Sequence, residues 1–197
     1  MDNLLRALLP LSRRIDTLNQ RLGRWIAWLI FAAVVVSSVN AVVRKVFDTS
    51  SNAWLELQWV LFSVVFLLCS PWTLISNEHI RIDIVNHQLP KRVRDWIDLI
   101  GHAFFLLPLT IIMVWFGIPF FLASWHVDEQ SFSAGGLPQW PAKSLVTIGF
   151  ALLFVQAISE LIKRASVMRG LIPDPYESQR SGLEAEVEHI VEAIEKH

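Results

Sequence analysis

The chain has 197 residues, of which 53% are hydrophobic, including twelve Phe and nine Trp, and its mean hydropathy is +0.45. A soluble domain of this length has no core large enough for so much apolar surface, which points to a membrane protein. The formal net charge of −1 excludes the basic footprint of a nucleic-acid binder, and the single cysteine, Cys69, excludes a disulfide framework or a cysteine-built metal site and reads as a packing residue.

Residues 1–24 carry Arg6, Arg13, Arg14 and Arg21 among spaced apolar residues, without the compact apolar block of a cleaved secretory signal. Leu11, Ile15, Leu18, Leu22 and Trp25 recur at intervals of four and three, with Arg13, Arg14, Asp16 and Arg21 between them. This pattern predicts an amphipathic helix lying at the membrane surface, or a docking helix for a partner. Four spans follow, at about residues 25–43, 55–75, 97–125 and 142–162, each matching the roughly 20 apolar residues that cross a bilayer core of about 30 Å. The third is longer than one crossing needs, so tilt or extension is expected, with Pro108 and Pro119 as sites for a kink. Trp25, Trp28, Trp54, Trp59, Trp72, Trp96, Trp125 and Trp140 fall near span ends, as an aromatic belt does, and Trp115 lies inside a span. Residues 165–197 read as a linker around Pro173 and Pro175, then an acidic amphipathic tail. That tail opens on a capping box, Ser181 to Glu184, and carries a stripe of Leu183, Val187, Ile190, Val191 and Ile194.

Near the span ends, Arg6, Arg13, Arg14, Arg21, Arg24, Arg81, Lys91, Arg92, Arg94, Lys163, Arg164 and Arg169 lie on one side of the membrane in this threading. Arg44, Lys45 and Lys143 lie on the other. Twelve against three places both termini and the loop at residues 76–96 in the cytoplasm. The expected fold is therefore an all-α integral membrane protein with four transmembrane helices, an N-terminal interfacial helix and cytoplasmic termini.

Ionisable residues in spans are few and shallow: Glu56 on the outer side, and Asp98, His102 and Glu160 on the inner side. A chain that carried ions or charged substrates alone would line its path at mid-depth or break its helices there, so a self-sufficient transporter is not expected. Glu56 has a candidate ion-pair partner in Arg44 across a short loop, or meets a partner subunit. A bis-histidine haem fails because only His102 lies within a span. A combined metal or hydrolytic site fails because His79 and Asp83 fall on one side and His126, Asp128 and Glu129 on the other. No enzyme, cofactor or metal is expected.

Two stretches are distinctive: "NAWLELQW" (Asn52–Trp59) opens the second span and "NEHIRID" (Asn77–Asp83) closes it. With the four-span frame and the outer "SAGGLPQWPAK" (Ser133–Lys143), they resemble the DctQ-like small membrane subunit of tripartite ATP-independent periplasmic (TRAP) transporters. The outer stretch is similar to a branch associated with mannitol or chloroaromatic compounds and 2-oxo acids. The resemblance covers residues 25–164 and matches the family signature at His79, Arg81 and Asp83. It departs where many members carry two acidic residues, since Glu56 is followed by Leu57. It implies an inner-membrane scaffold subunit that pairs with the large permease subunit, which holds the substrate and sodium sites, and works with a periplasmic substrate-binding protein in uptake of an organic acid. Glu56, His79, Arg81 and Asp83 are then assembly residues, and Asp128 and Glu129 are candidates for docking the binding protein. Membrane lipids cover the rest, and nucleic acid has no place. The alternative is a membrane anchor for a redox or other enzyme complex.

Overall fold

A computed structural model describes residues 2–49, 51–76 and 90–174. Helix α1 spans Asp2–Ala27 and α2 spans Leu29–Phe47. Helix α3 spans Asn52–Ile75 and α4 covers Lys91–Ile100. A π-helical turn at Gly101–Leu106 joins α4 to α5, Leu107–His126, and α6 runs from Trp140 to Met168. Four helical stretches are long and apolar enough to cross a membrane: Asp2–Phe47, Asn52–Ile75, Lys91–His126 and Trp140–Met168. The expected all-helical, four-span architecture is thus present among the described residues.

Local chemistry accounts for the irregular points. At Trp28 the helical ladder tightens, with Trp28 N donating to Trp25 O at 3.3 Å and Phe31 N to Trp28 O at 3.1 Å. This separates α1 from α2. In the third stretch, Leu107 N donates five residues back, to His102 O. Pro108 follows directly and has no N–H for the carbonyl four residues before it, so the widened turn sits where the regular ladder would fail. The third stretch is thus two α-helices joined by this turn.

Helix α6 is the centre of the bundle, packing on α5, α1 and α3 and touching α4, while α2 packs on α3. The interior inverts the soluble pattern. The buried apolar side chains are Ala33, Leu74, Ala157 and Ile162, whereas many large apolar groups, such as Phe31, Phe66, Phe104 and Trp115, face outward. Lipid solvates that exterior as water cannot, so helix contacts use small residues for close approach and polar residues as glue. On α5 the buried residues are Thr110, Gly117 and Ser124, seven apart and therefore on one face. A Cβ on Gly117 would lie 2.8 Å from Thr147 Oγ1 of α6, which shows how near the two backbones run. At Gly149 a Cβ would fall 2.8 Å from Leu67 Cβ and 3.0 Å from Leu67 O, the point where α3 meets α6.

Helix α1 follows the same logic. Ser12, Asn19 and Gly23 are buried, and with Asp16 they form a stripe at intervals of four, three and four that faces α6 and α3. Leu4, Leu11, Leu18 and Trp25 face outward. The predicted helix is present, and its small polar face ties it to the bundle, a contact that a helix resting on lipid alone would not have.

Candidate functional site at the two ends of the bundle

Polar chemistry gathers at two ends. At the turn end, the carboxylate of Glu56 on α3 accepts from the Ser131 hydroxyl and, at 2.6 Å, from Leu137 N. Asn52 Nδ2 donates to Ala134 O at 2.9 Å, so the first turn of α3 holds the loop before α6 at two points. Gly136 makes this fit, because a Cβ there would stand 2.7 Å from Glu56 Oε1 and closer still to Ser131. Gly135 takes φ +71°, a conformation that suits glycine. The loop is closed across its base by Gln139 N donating to Glu129 O at 2.8 Å and by a bridge between Gln130 and Pro138. Trp125 and Trp140 meet edge to face, with ring centroids 4.5 Å apart, at the junctions with α5 and α6.

Beside this brace, Lys143 pairs with Glu129 and sits 4.4 Å above the Phe120 ring. The hydrogen bond from Lys143 holds the Glu129 carboxyl below the usual carboxylate range. Asp128 is exposed and takes a left-handed conformation, φ 47°. At the loop tip Phe132 is fully exposed.

The opposite, terminal end holds two buried networks. In the first, Asn19 Nδ2 donates to Gln156 Oε1 at 2.8 Å, and Gln156 Nε2 donates to Asp16 Oδ1 at 2.8 Å and Glu160 Oε1 at 3.0 Å. Lys163 pairs with Asp16 at 2.9 Å and Glu160 at 2.5 Å, while the Ser12 and Ser159 hydroxyls lie 2.7 Å apart. In the second, Arg164 is 2% exposed and lies 2.8 Å from Asp98, 3.5 Å from Asp95 and 3.7 Å from Asp174. Each buried charge thus has an opposite partner, the condition for carrying it into a low-dielectric bundle. His102 Nδ1 lies 2.6 Å from Asp98 O.

These positions rearrange the sequence-based picture. Glu56 takes its hydrogen bonds from residues 75 and 81 positions along the chain, and the expected pair with Arg44 is not formed. Arg44 instead lines a cavity of about 410 Å³ with Asn40, Lys45, Asp48, Leu55 and Gln58. Asp128 and Glu129 do share one loop, though Glu129 is engaged by Lys143. His79, Arg81 and Asp83 lie outside the described residues, as does the predicted tail helix with its capping box. Sequence reasoning missed Gln156 and the Arg164 cluster. The available signal was a run of polar residues in the last turns of a span, Gln156, Ser159, Glu160, Lys163 and Arg164, whose spacing places several on adjoining faces.

The arrangement binds helices and a loop together: Glu56 and Asn52 hold the loop before α6, Gln156 and Lys163 join α6 to α1, and Arg164 joins α6 to α4. Residues 33–167 match the family of tripartite ATP-independent periplasmic transporters, DctQ component. The chain belongs to the DctQ family. The matched segment begins in α2 and ends in α6, so it takes in the whole turn-end brace and the Arg164–Asp98 pair, and leaves α1 outside. A comparison with curated proteins gave no match. As a DctQ component with four apolar spans, the chain is a multi-pass membrane protein of a transport system.

Proposed function

We propose that this DctQ-family chain is the small scaffold subunit of a TRAP transporter, pairing within the membrane with the large permease subunit in sodium-driven, binding-protein-dependent uptake of an organic acid. The observation that carries this reading is where the polar groups go. They link helix to loop at one end and helix to helix at the other, while the stretch between is closed by small residues such as Gly117, Thr147 and Gly149. Such a bundle is suited to bracing a neighbour. Its outward Phe and Trp side chains suit lateral burial against another helix bundle as well as lipid. Transport chemistry then belongs to the large subunit.

The excess of Lys and Arg near one set of span ends supports cytoplasmic termini, with the Glu56-braced loop facing the periplasm. Asp128, Glu129 and the exposed Phe132 would then be presented to the binding protein on a loop held in one shape. His79, Arg81 and Asp83 would lie at the cytoplasmic surface and serve assembly. Reconstitution tests the whole reading: uptake is expected only when this chain, the large subunit, the binding protein and a sodium gradient are all present. Transport by this chain alone would refute the scaffold role, and a Soret band in the purified protein would favour an anchor for a redox complex. Replacing Arg81 or Asp83 should reduce co-purification of the large subunit and leave the substrate affinity of intact complexes unchanged.

A further inference from the structure

Helix α1 has three faces, and the bundle occupies only one of them. Its sole acid beyond the first turn, Asp16, is drawn into the seam with α6, where it meets Lys163, Gln156 and Ser159. The arginines around it are left behind on the far side. Arg13, Arg14 and Arg21 are exposed, and among the described residues no carboxylate pairs with any of them. They border an open groove on the surface of α1 together with Thr17 and Leu18. The Thr17 hydroxyl is already committed to Arg13 O at 2.8 Å, so the groove's available donors are the guanidinium groups. Arg14 and Arg21 are seven residues apart, two helical turns along one side, and Leu18 lies between them on the edge of the outward stripe of Leu4, Leu11, Leu18 and Trp25.

We propose that this face of α1 is a binding site for an anionic phospholipid, the lipid phosphate held by Arg14, Arg21 and Arg13 and an acyl chain laid along Leu18 and its stripe. Guanidinium forks match phosphate oxygens in bidentate geometry, and three of them clustered without acidic partners attract an anion. The apolar stripe running beside them decides for a lipid over free phosphate, since a soluble ion has no use for an apolar floor. The site lies on α1, outside the family-matched segment. It depends on α1 lying in contact with lipid and is independent of the transporter reading.

The test uses the purified full-length chain in neutral detergent, with bound lipid counted by native mass spectrometry. Phosphatidylglycerol should be retained in preference to phosphatidylcholine, and its retention should fall as salt is raised. The double variant R14Q/R21Q should bind phosphatidylglycerol roughly thirtyfold more weakly, as expected for two basic side chains near an anionic headgroup. K45Q, which removes a charge at the other end of the bundle, should match the wild type. Equal retention of the two lipids by the wild type, or unchanged binding by R14Q/R21Q, would overturn the proposal. So would displacement of the lipid by inorganic phosphate at comparable concentration, which would mark a free-anion site. Because the two wild-type measurements need no variant, they decide the matter even if R14Q/R21Q does not fold.

Discussion

Replacing Gly149 by Ala adds one methyl group where α3 and α6 touch, and the structure says how badly it fits. The new Cβ would stand 2.8 Å from Leu67 Cβ, 3.0 Å from Leu67 O and 3.2 Å from Leu67 C. Carbon atoms rest about 3.5–4.0 Å apart, so the helices would have to separate locally by roughly 0.7 Å or more. Two of the three obstructing atoms are backbone, and no rotamer change moves them. That carbonyl is also special, because Pro71 stands four residues on and cannot give it the usual helical N–H. Retreat of α6 is limited on another side, where Thr147 runs so near Gly117 of α5 that a Cβ on Gly117 would lie 2.8 Å from its Oγ1. Overpacking of this kind costs about 1–3 kcal/mol, and the missing room argues for the upper part of that range. The gain in helix propensity from Gly to Ala, up to about 1 kcal/mol, opposes it only in part. Thermal unfolding in detergent, followed by tryptophan fluorescence, should show Gly149→Ala destabilised. Gly101→Ala serves as the control, since a Cβ at Gly101 meets nothing within 4 Å. If Gly149→Ala were as stable as the wild type while the bundle kept its fold, the close approach of α3 and α6 would be wrong.

At the terminal end, Gln156→Leu strips partners from Asn19, Asp16 and Glu160 and should cost about 1–3 kcal/mol. In a Cys69→Ser background, a disulfide between cysteines placed at Ser12 and Ser159 should form readily and fall in yield when Gln156→Leu is added. Arg164→Leu leaves Asp95, Asp98 and Asp174 facing one another without that guanidinium, and a loss of about 3–5 kcal/mol is expected; Arg164→Lys should recover part of it in the same unfolding assay. At the turn end, Glu56→Ala frees Ser131 and Leu137, so limited proteolysis near Phe132 should accelerate, with Glu56→Gln intermediate because its carbonyl oxygen still accepts. The carboxyl of Glu129 is held low by Lys143, so its pairing contributes at pH above the ordinary carboxylate range and is lost as pH falls through the lowered value. A carbon-detected NMR titration should place its midpoint below that of an unperturbed glutamate, and Lys143→Met should move it upward.

Much of the architecture was legible because a bilayer imposes a length on any helix that crosses it. Runs of about 20 apolar residues mark the four spans; of the two prolines expected to kink the third, Pro108 adjoins the π-helical turn, while Pro119 lies inside the regular helix α5. What was not legible depends on helix rotation. The stripe Leu11, Ile15, Leu18, Leu22 and Trp25 is conspicuous, yet the stripe that packs α1 on α6 is Ser12, Asp16, Asn19 and Gly23. It has the same spacing, but polar stripes in soluble proteins face solvent, so the pattern alone does not mark it as a packing face. The donors to Glu56 were not legible for a different reason. Arg44 is its near neighbour in sequence, but a residue at the start of α3 meets whatever loop folds over that helix end, and the donors came from residues 131 and 137. Short sequence separation favours a contact only when the intervening turn aims both side chains together.

Helix α6 explains how such different contacts yield one body. It meets α5 and α3 through small residues, where fit is set by backbone approach and tolerates no added atoms. It meets α1 and α4 through Gln156, Lys163 and Arg164, where fit is set by charge and donor geometry. The first kind of contact fixes distance and the second fixes register, because a one-residue slip of α1 would turn Asp16 away from Lys163 and Asn19 away from Gln156. A bundle constrained both ways resists the sliding and opening that an element moving substrate must undergo. Rigidity of this sort fits the proposed bracing role.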